Sequence, residues 1–249
     1  MKNINININI ELKDIIEYIN NLLERYKFFN NVYFSELENK NFSKDDFIET
    51  QIQFYNITNF FPKFLADFVK KLPESNLKLN IIENIYEDDC AWMDQNSQDT
   101  FLKFLNNLGI SKEEIEKRTL WPEVREFIMA IWATCALDNN IVGCATLGTL
   151  EYMFLYISNI LEKYIVKLKW LEKNQIGYYI SHEKLNQKHF QDFFYLILNN
   201  WISDKNDKYY IEQGIILAAY SFNLLFKELY NNRTKRLFRS TNIKHIKLS

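Results

Sequence analysis

Apolar side chains recur at three- and four-residue spacing through most of the chain, the period of one helix face. The pattern predicts helices at about 11–28, 44–71, 78–95, 97–108, 122–137, 141–170, 181–202 and 206–231. Ser43 before KDDF and Ser111 before KEEIEK are placed to accept a backbone N–H at a helix start, and the acids behind them suit its positive end. Pro122 opens a helix, where its missing N–H is not needed, whereas Pro62 in NFFPKFL falls inside one and should bend it. With 5 glycines and 3 prolines in 249 residues, the chain lacks the turn residues that many short strands require. No internal repeat or Gly/Ser linker divides it. The expectation is an all-α protein: one helical domain over 1–231, then a basic tail at 232–249 that contains no acid. That tail is expected to be frayed and solvated; the sharper alternative is a docking arm for an acidic partner or a second subunit.

One stretch, NNIVGCATLGTLEYMFLYISNIL between Asp138 and Glu162, is apolar enough to suggest a membrane span. Its single charge, Glu151, sits mid-way, and Asn, Thr and Ser dilute it, so it reads as a buried core helix. A net charge of −2 gives no global attraction to nucleic acid or anionic lipid. Cys90, Cys135 and Cys144 follow no paired spacing, and the N-terminal MKNINININIELKD has no signal-peptide pattern; both features suggest a cytoplasmic protein with reduced thiols.

Polar groups on apolar helix faces carry the candidate chemistry. His182, Asn186 and His189 lie along one stripe of a helix, and the stripe continues into Phe193, Leu196 and Ile197. They should therefore point inward, where polar groups need partners. Two imidazoles and an amide could satisfy one another, or they could serve a metal or catalytic site. Glu151 projects from a face made of Leu147, Gly148, Phe154 and Leu155, with no Lys or Arg nearby on its own helix. A buried carboxylate there must take up a proton or meet a cation. In NIYEDDCAWMD, Glu87 and Asp94 stand two turns apart on a third helix, at the flank of its apolar face. Oxygen and imidazole donors without thiolate suit iron or manganese.

The order of these features resembles the haem-oxygenase-like superfamily, which includes thiaminase II and pyrroloquinoline-quinone synthase, and within it the di-iron oxidase and oxygenase branch. In that branch a helix carries Glu and His seven apart, a later helix one Glu, and the last ligand helix aromatic-x-x-His-x-x-x-Asp-x-x-His. This chain has Glu87 with Asp94, then Glu151, then Tyr179-Ile-Ser-His182-Glu-Lys-Leu-Asn186-Gln-Lys-His189. FIETQIQFYNITNFFPKFLADFVKKLP, from Phe47, and NIYEDD followed by FLKFLNNLGIS resemble family segments as well. Two positions depart: Asp94 stands where the family usually has His, and Asn186 where it usually has Asp.

The resemblance implies a haem-oxygenase-like bundle of about seven to eight helices and an Fe(II)- and O2-dependent oxidoreductase acting on a small amino-acid-like or aromatic molecule. It implies two irons per chain, held by Glu87, Asp94, Glu151, His182, Asn186 and His189. The two departures leave open a single-iron, asymmetric or metal-free site, and manganese is the other metal that fits. Tyr55, Trp92 and Tyr152 are candidates for the pocket wall. A similar protein makes para-aminobenzoate from its own tyrosine beside a lysine, which points to Tyr33 with Lys163 or Lys167. Family members commonly associate, so a homodimer is expected, with neither nucleic acid nor membrane as partner. The alternatives are a metal-free thiaminase-like or quinone-synthase-like enzyme, with Cys135 or Cys144 as nucleophile in the former, and a non-enzymatic helical interaction module.

Overall fold

In a computed structural model, which describes residues 10–72, 76–92, 100–203 and 205–240, every predicted periodic segment is helical over its described residues, apart from a few residues at the ends. The helices are α1 (Lys13–Arg25), α2 (Val32–Glu38), α3 (Lys44–Lys71), α4 (Asn76–Trp92), α5 (Thr100–Asn107), α6 (Lys112–Glu116), α7 (Pro122–Leu137), α8 (Asn140–Lys167), α9 (Gly177–Ser203) and α10 (Lys205–Asn231). No strand occurs among the described residues, so the fold is all-α as expected.

The caps explain several boundaries. Ser43 Oγ accepts from the Asp46 N–H at 3.1 Å to start α3. Ser111 and Glu114 satisfy each other's backbone N–H groups, a capping box that begins α6. Pro122 occupies the first turn of α7. Pro62 does not end α3, which continues as one helix to Lys71. The pattern missed the short α2, whose start is capped by the Asn31 side chain on the Tyr33 N–H at 3.0 Å.

Because α8 carries apolar or small side chains on nearly every side, it is the central helix, packed chiefly against α9 and α10. It is the one helix among the described residues long and apolar enough to cross a membrane, and 89% of its most apolar window is buried inside the protein. Glycine sets how closely its neighbours approach. A Cβ on Gly214 of α10 would lie 2.5 Å from the Val142 carbonyl oxygen and 2.8 Å from the Ala145 Cβ. The Thr146 hydroxyl donates to the Gly214 carbonyl at 3.2 Å across the same contact. A Cβ on Gly148 would lie 2.9 Å from that of Phe193 on α9. Elsewhere α3 packs on α7, and α4 on α9.

The tail corrects an expectation. Residues 232–240 are not frayed but fold back over α3, α6 and α7. The Thr119 N–H donates to the Leu237 carbonyl at 2.8 Å, and the Arg239 N–H to the Lys117 carbonyl at 2.8 Å. Arg236 pairs with Asp46 at 3.0 Å, and Lys235 with Glu123 at 3.2 Å. Arg236 also reaches Glu49, 3.5 Å from its carboxylate, which Arg118 approaches to 2.9 Å. Glu49 is buried on α3, so these cations offset the desolvation of its charge. The acidic partner of this part of the tail is the protein's own body.

Gly214→Ala is expected to destabilise the fold by roughly 1–3 kcal/mol, because backbone of α8 must move to admit a methyl group. Urea denaturation measures this, and an unchanged midpoint would mean that α8 and α10 are less closely apposed than described.

Candidate metal centre

α8 and α9 lie side by side and bring together the groups that their sequences pointed inward. Glu151, His182, Asn186 and His189 are all buried. Asn186 donates its amide N–H to Glu151 Oε2 at 2.6 Å, and to the Glu151 carbonyl at 3.3 Å. His189 Nδ1 lies 3.9 Å from the same carboxylate oxygen. Asn186 Oδ1 is buried and has no hydrogen-bond partner among the described residues.

His182 sits one turn earlier on α9. Its Nδ1 is 2.9 Å from the Tyr178 carbonyl, an acceptor, so Nδ1 carries the proton and Nε2 keeps a lone pair. The ring packs between Tyr178, at 4.1 Å between centroids, and Phe154, at 5.7 Å. Burial lowers its pKa from the ordinary value to about 4; the Tyr178 hydrogen bond opposes this, and His189 nearby adds to it.

Glu151, His182 and Asn186 form the polar part of the wall of a narrow cavity of about 50 Å³, room for a few water-sized molecules. The rest of the lining comes from other helices. Phe54, Ile57, Phe61 and Phe64 form one stripe of α3, with Thr58 beside them; Phe127 comes from α7, Leu150 and Phe154 from α8, Tyr178 from α9 and Phe222 from α10. The stripe on α3 was visible as a helix face in the sequence, but nothing there indicated what it faces.

Other predicted positions lie elsewhere. Tyr55 packs on Phe101 at 5.7 Å and is not in the lining. Tyr152 points to another side of α8, its hydroxyl 3.0 Å from both Asn20 and Tyr156, with burial raising its pKa. Tyr33 is buried away from the lining; its hydroxyl meets Thr50 at 2.7 Å and accepts from Gln51 at 2.9 Å. Gln51 in turn accepts from Tyr179 at 2.5 Å. Lys163 and Lys167 are exposed and lie over the Tyr164 ring at 5.2 Å each. Asp94 is outside the described residues, as are the side chains of Glu87 and Trp92 on α4.

The donor set can be tested against iron. A neutral imidazole with a bare Nε2, a second imidazole, a carboxylate and an amide oxygen lacking a partner form a hard-to-borderline N/O set, which suits iron or manganese. A backbone carbonyl orienting a ligand imidazole through its far nitrogen is the usual support for such a site. Among the described residues, however, no three His, Cys, Asp or Glu side chains stand close enough to enclose an ion. One carboxylate, Glu151, faces the cavity. Beside Glu151 a neutral amide stands where a second carboxylate would add charge.

His182 makes the fold pH-dependent. Its folded pKa lies below that of the unfolded chain, so its contribution is complete above about pH 6.5 and is lost as pH falls toward 4. In metal-free protein, His182→Gln is expected to flatten the fall in stability over that window. Denaturation at several pH values tests this; parallel curves would show that the imidazole is not held neutral.

Comparison with known proteins agrees with this architecture. Residues 49–220 match the model of a family described as iron-containing redox enzymes of the haem-oxygenase type. No curated protein matches the sequence. A domain of unknown function with a haem-oxygenase-like fold from Shewanella denitrificans superposes with a TM-score of 0.69 at 16% identity, over 91% of this chain and 95% of that one. A TenA homologue from Pseudomonas syringae pv. tomato gives 0.67 at 12% identity, covering 86% and 92%. A TenA homologue from P. horikoshii gives 0.67 at 15%, covering 87% and 98%. At these identities the likeness speaks for the fold alone.

Proposed function

Because this chain belongs to the haem-oxygenase-type family of iron-containing redox enzymes, we propose that it is an iron-dependent oxidase or oxygenase that uses O2 on a small molecule bound in the cavity beside Glu151. The observation that carries the reading is the convergence of a buried carboxylate and an oriented, neutral imidazole on one apolar cavity. Glu151, His182 and His189 would hold the iron. Asn186 would hold Glu151 in place and offer its own carbonyl oxygen. Glu87 and Asp94 on the α4 side remain proposed further ligands. Iron, when bound, supplies electrons for the reduction of O2.

The protein's own residues do the rest. The Tyr178 carbonyl keeps the proton of His182 on Nδ1, leaving Nε2 as the donor atom. The Asn186 amide fixes the Glu151 carboxylate without adding charge. The phenylalanines of α3, α7, α8 and α10 exclude bulk water from the reacting centre.

An external substrate is favoured over consumption of Tyr33, whose hydroxyl belongs to a buried network with Thr50 and Gln51 and not to the cavity wall. Lys163, on the solvent side of α8, offers that chemistry no support. A thiaminase-like reaction would need a thiol in the cavity. Cys135 is buried with its pKa pushed up to about 12, Cys144 donates to the Phe193 carbonyl at 2.9 Å, and neither is in the lining.

Protein reconstituted anaerobically with ferrous iron is expected to retain roughly one iron per chain. Glu151→Ala and His189→Ala should each weaken retention by about tenfold or more, and Asn186→Asp should raise iron content by adding the missing charge. Elemental analysis decides; iron absent from wild type, or unaffected by all three changes, would rule the centre out. Tyr33→Phe is expected to leave turnover intact while costing roughly 1–2 kcal/mol of stability, since Thr50 and Gln51 lose a buried partner. Loss of activity at unchanged stability would restore Tyr33 as a reactant.

A further inference from the structure

A second hollow lies apart from the centre at Glu151 and shares none of its lining residues. It holds about 720 Å³ between α1, the turn that follows it, the end of α2 and α8. That volume falls in the range of sites that take small organic molecules. Its walls include Asn20 and Glu24 of α1, Lys27 and Phe29 of the turn, Glu38 of α2 and Tyr156 of α8.

The walls are chemically one-sided. Phe29 and Tyr156 are half-buried and meet edge to face, 5.3 Å between centroids, which gives the hollow an aromatic side. The Tyr152 hydroxyl gives its proton to Asn20 Oδ1 at 3.0 Å, so the Tyr156 hydroxyl donates its own to Tyr152, also at 3.0 Å. Tyr156 is thereby left with lone pairs and no proton for a ligand. Glu24 and Glu38 add two carboxylates, the second held by the Tyr164 hydroxyl, against a single ammonium, Lys27. Aromatic rings, carboxylates and phenolic lone pairs all attract a cation. A carboxylate ligand would meet one cation and two charges of its own sign.

We propose that this hollow binds a small organic cation: a primary ammonium on an aromatic or apolar body, the ammonium against Glu24 and Glu38 and the body against Phe29 and Tyr156. Such a site would hold its ligand whether or not iron is bound beside Glu151.

Three probes of similar shape, 2-phenylethylamine, 2-phenylethanol and 3-phenylpropanoate, test this on the full-length protein by ligand-detected NMR titration. At about pH 7.5 the amine is an ammonium and the acid is ionised. The amine is expected to bind at least about fivefold more tightly than either other probe, and its advantage should shrink in about 0.5 M salt. Glu24→Gln and Glu38→Gln should each weaken amine binding about two- to fivefold, and together erase its advantage over the alcohol. Lys27→Gly removes the opposing charge at a left-handed position, φ 56°, that glycine adopts freely. It should tighten the amine about twofold and weaken the carboxylate. Circular dichroism checks the fold of every variant, and Lys27→Gly keeps the test decisive where a glutamine variant does not fold. Alcohol or carboxylate binding as tight as the amine's would overturn the proposal. So would no binding of any probe, or an amine advantage that survives the double change.

Discussion

A single carboxylate in the middle of an apolar helix governs the arrangement of this protein. Glu151 is 4% exposed on α8, the most enclosed helix of the bundle. A charge so placed must be neutralised, paired or ligated. The response comes from α9, which lays Asn186 and His189 against it and sets His182 one turn away on the same cavity. The close contact of α8 and α9, helped by Gly148 against Phe193, is thus both a packing feature and the means of assembling a polar centre in an apolar core.

Several polar residues outside this centre are held in separate clusters. Tyr33, Thr50, Gln51 and Tyr179 share one buried network between α2, α3 and α9. Tyr152, Tyr156 and Asn20 share another, and Tyr164 bonds to Glu38. The Glu49 cluster, with Arg118 and Arg236, fastens residues 232–240 to the N-terminal part of α3. The same helix presents Phe54, Ile57, Phe61 and Phe64 to the cavity further along. α3 is therefore anchored by charge at one end and lines the site with aromatic surface beyond it.

Asn186 is the residue that most distinguishes this centre. An aspartate there would set two carboxylates in hydrogen-bond contact, an arrangement that calls for a shared cation or proton. The amide replaces that demand with a hydrogen bond to Glu151 and leaves a carbonyl oxygen over. The family relationship places the chain among iron-containing redox enzymes; Asn186 sets how much charge stands beside Glu151.

The helical nature of the chain, the positions of most helices and the inward stripe His182–Asn186–His189 were legible in the sequence, because helix period and capping are local properties. So was the anomaly of Glu151, since a charge with no counter-charge nearby on its own helix is visible in one dimension. Tyr55 and Tyr152 were misjudged as cavity residues because an aromatic at a helical position does not reveal which neighbour it meets. The tail misled for the same reason: its basic run looked solvated until Asp46, Glu49 and Glu123, far away in sequence, proved to lie beneath it. Which helix covers which face depends on contacts between residues that are tens of positions or more apart. Only tertiary packing, through close approaches such as that of Gly214 to Val142, decided where the cavity lies and which side chains close it.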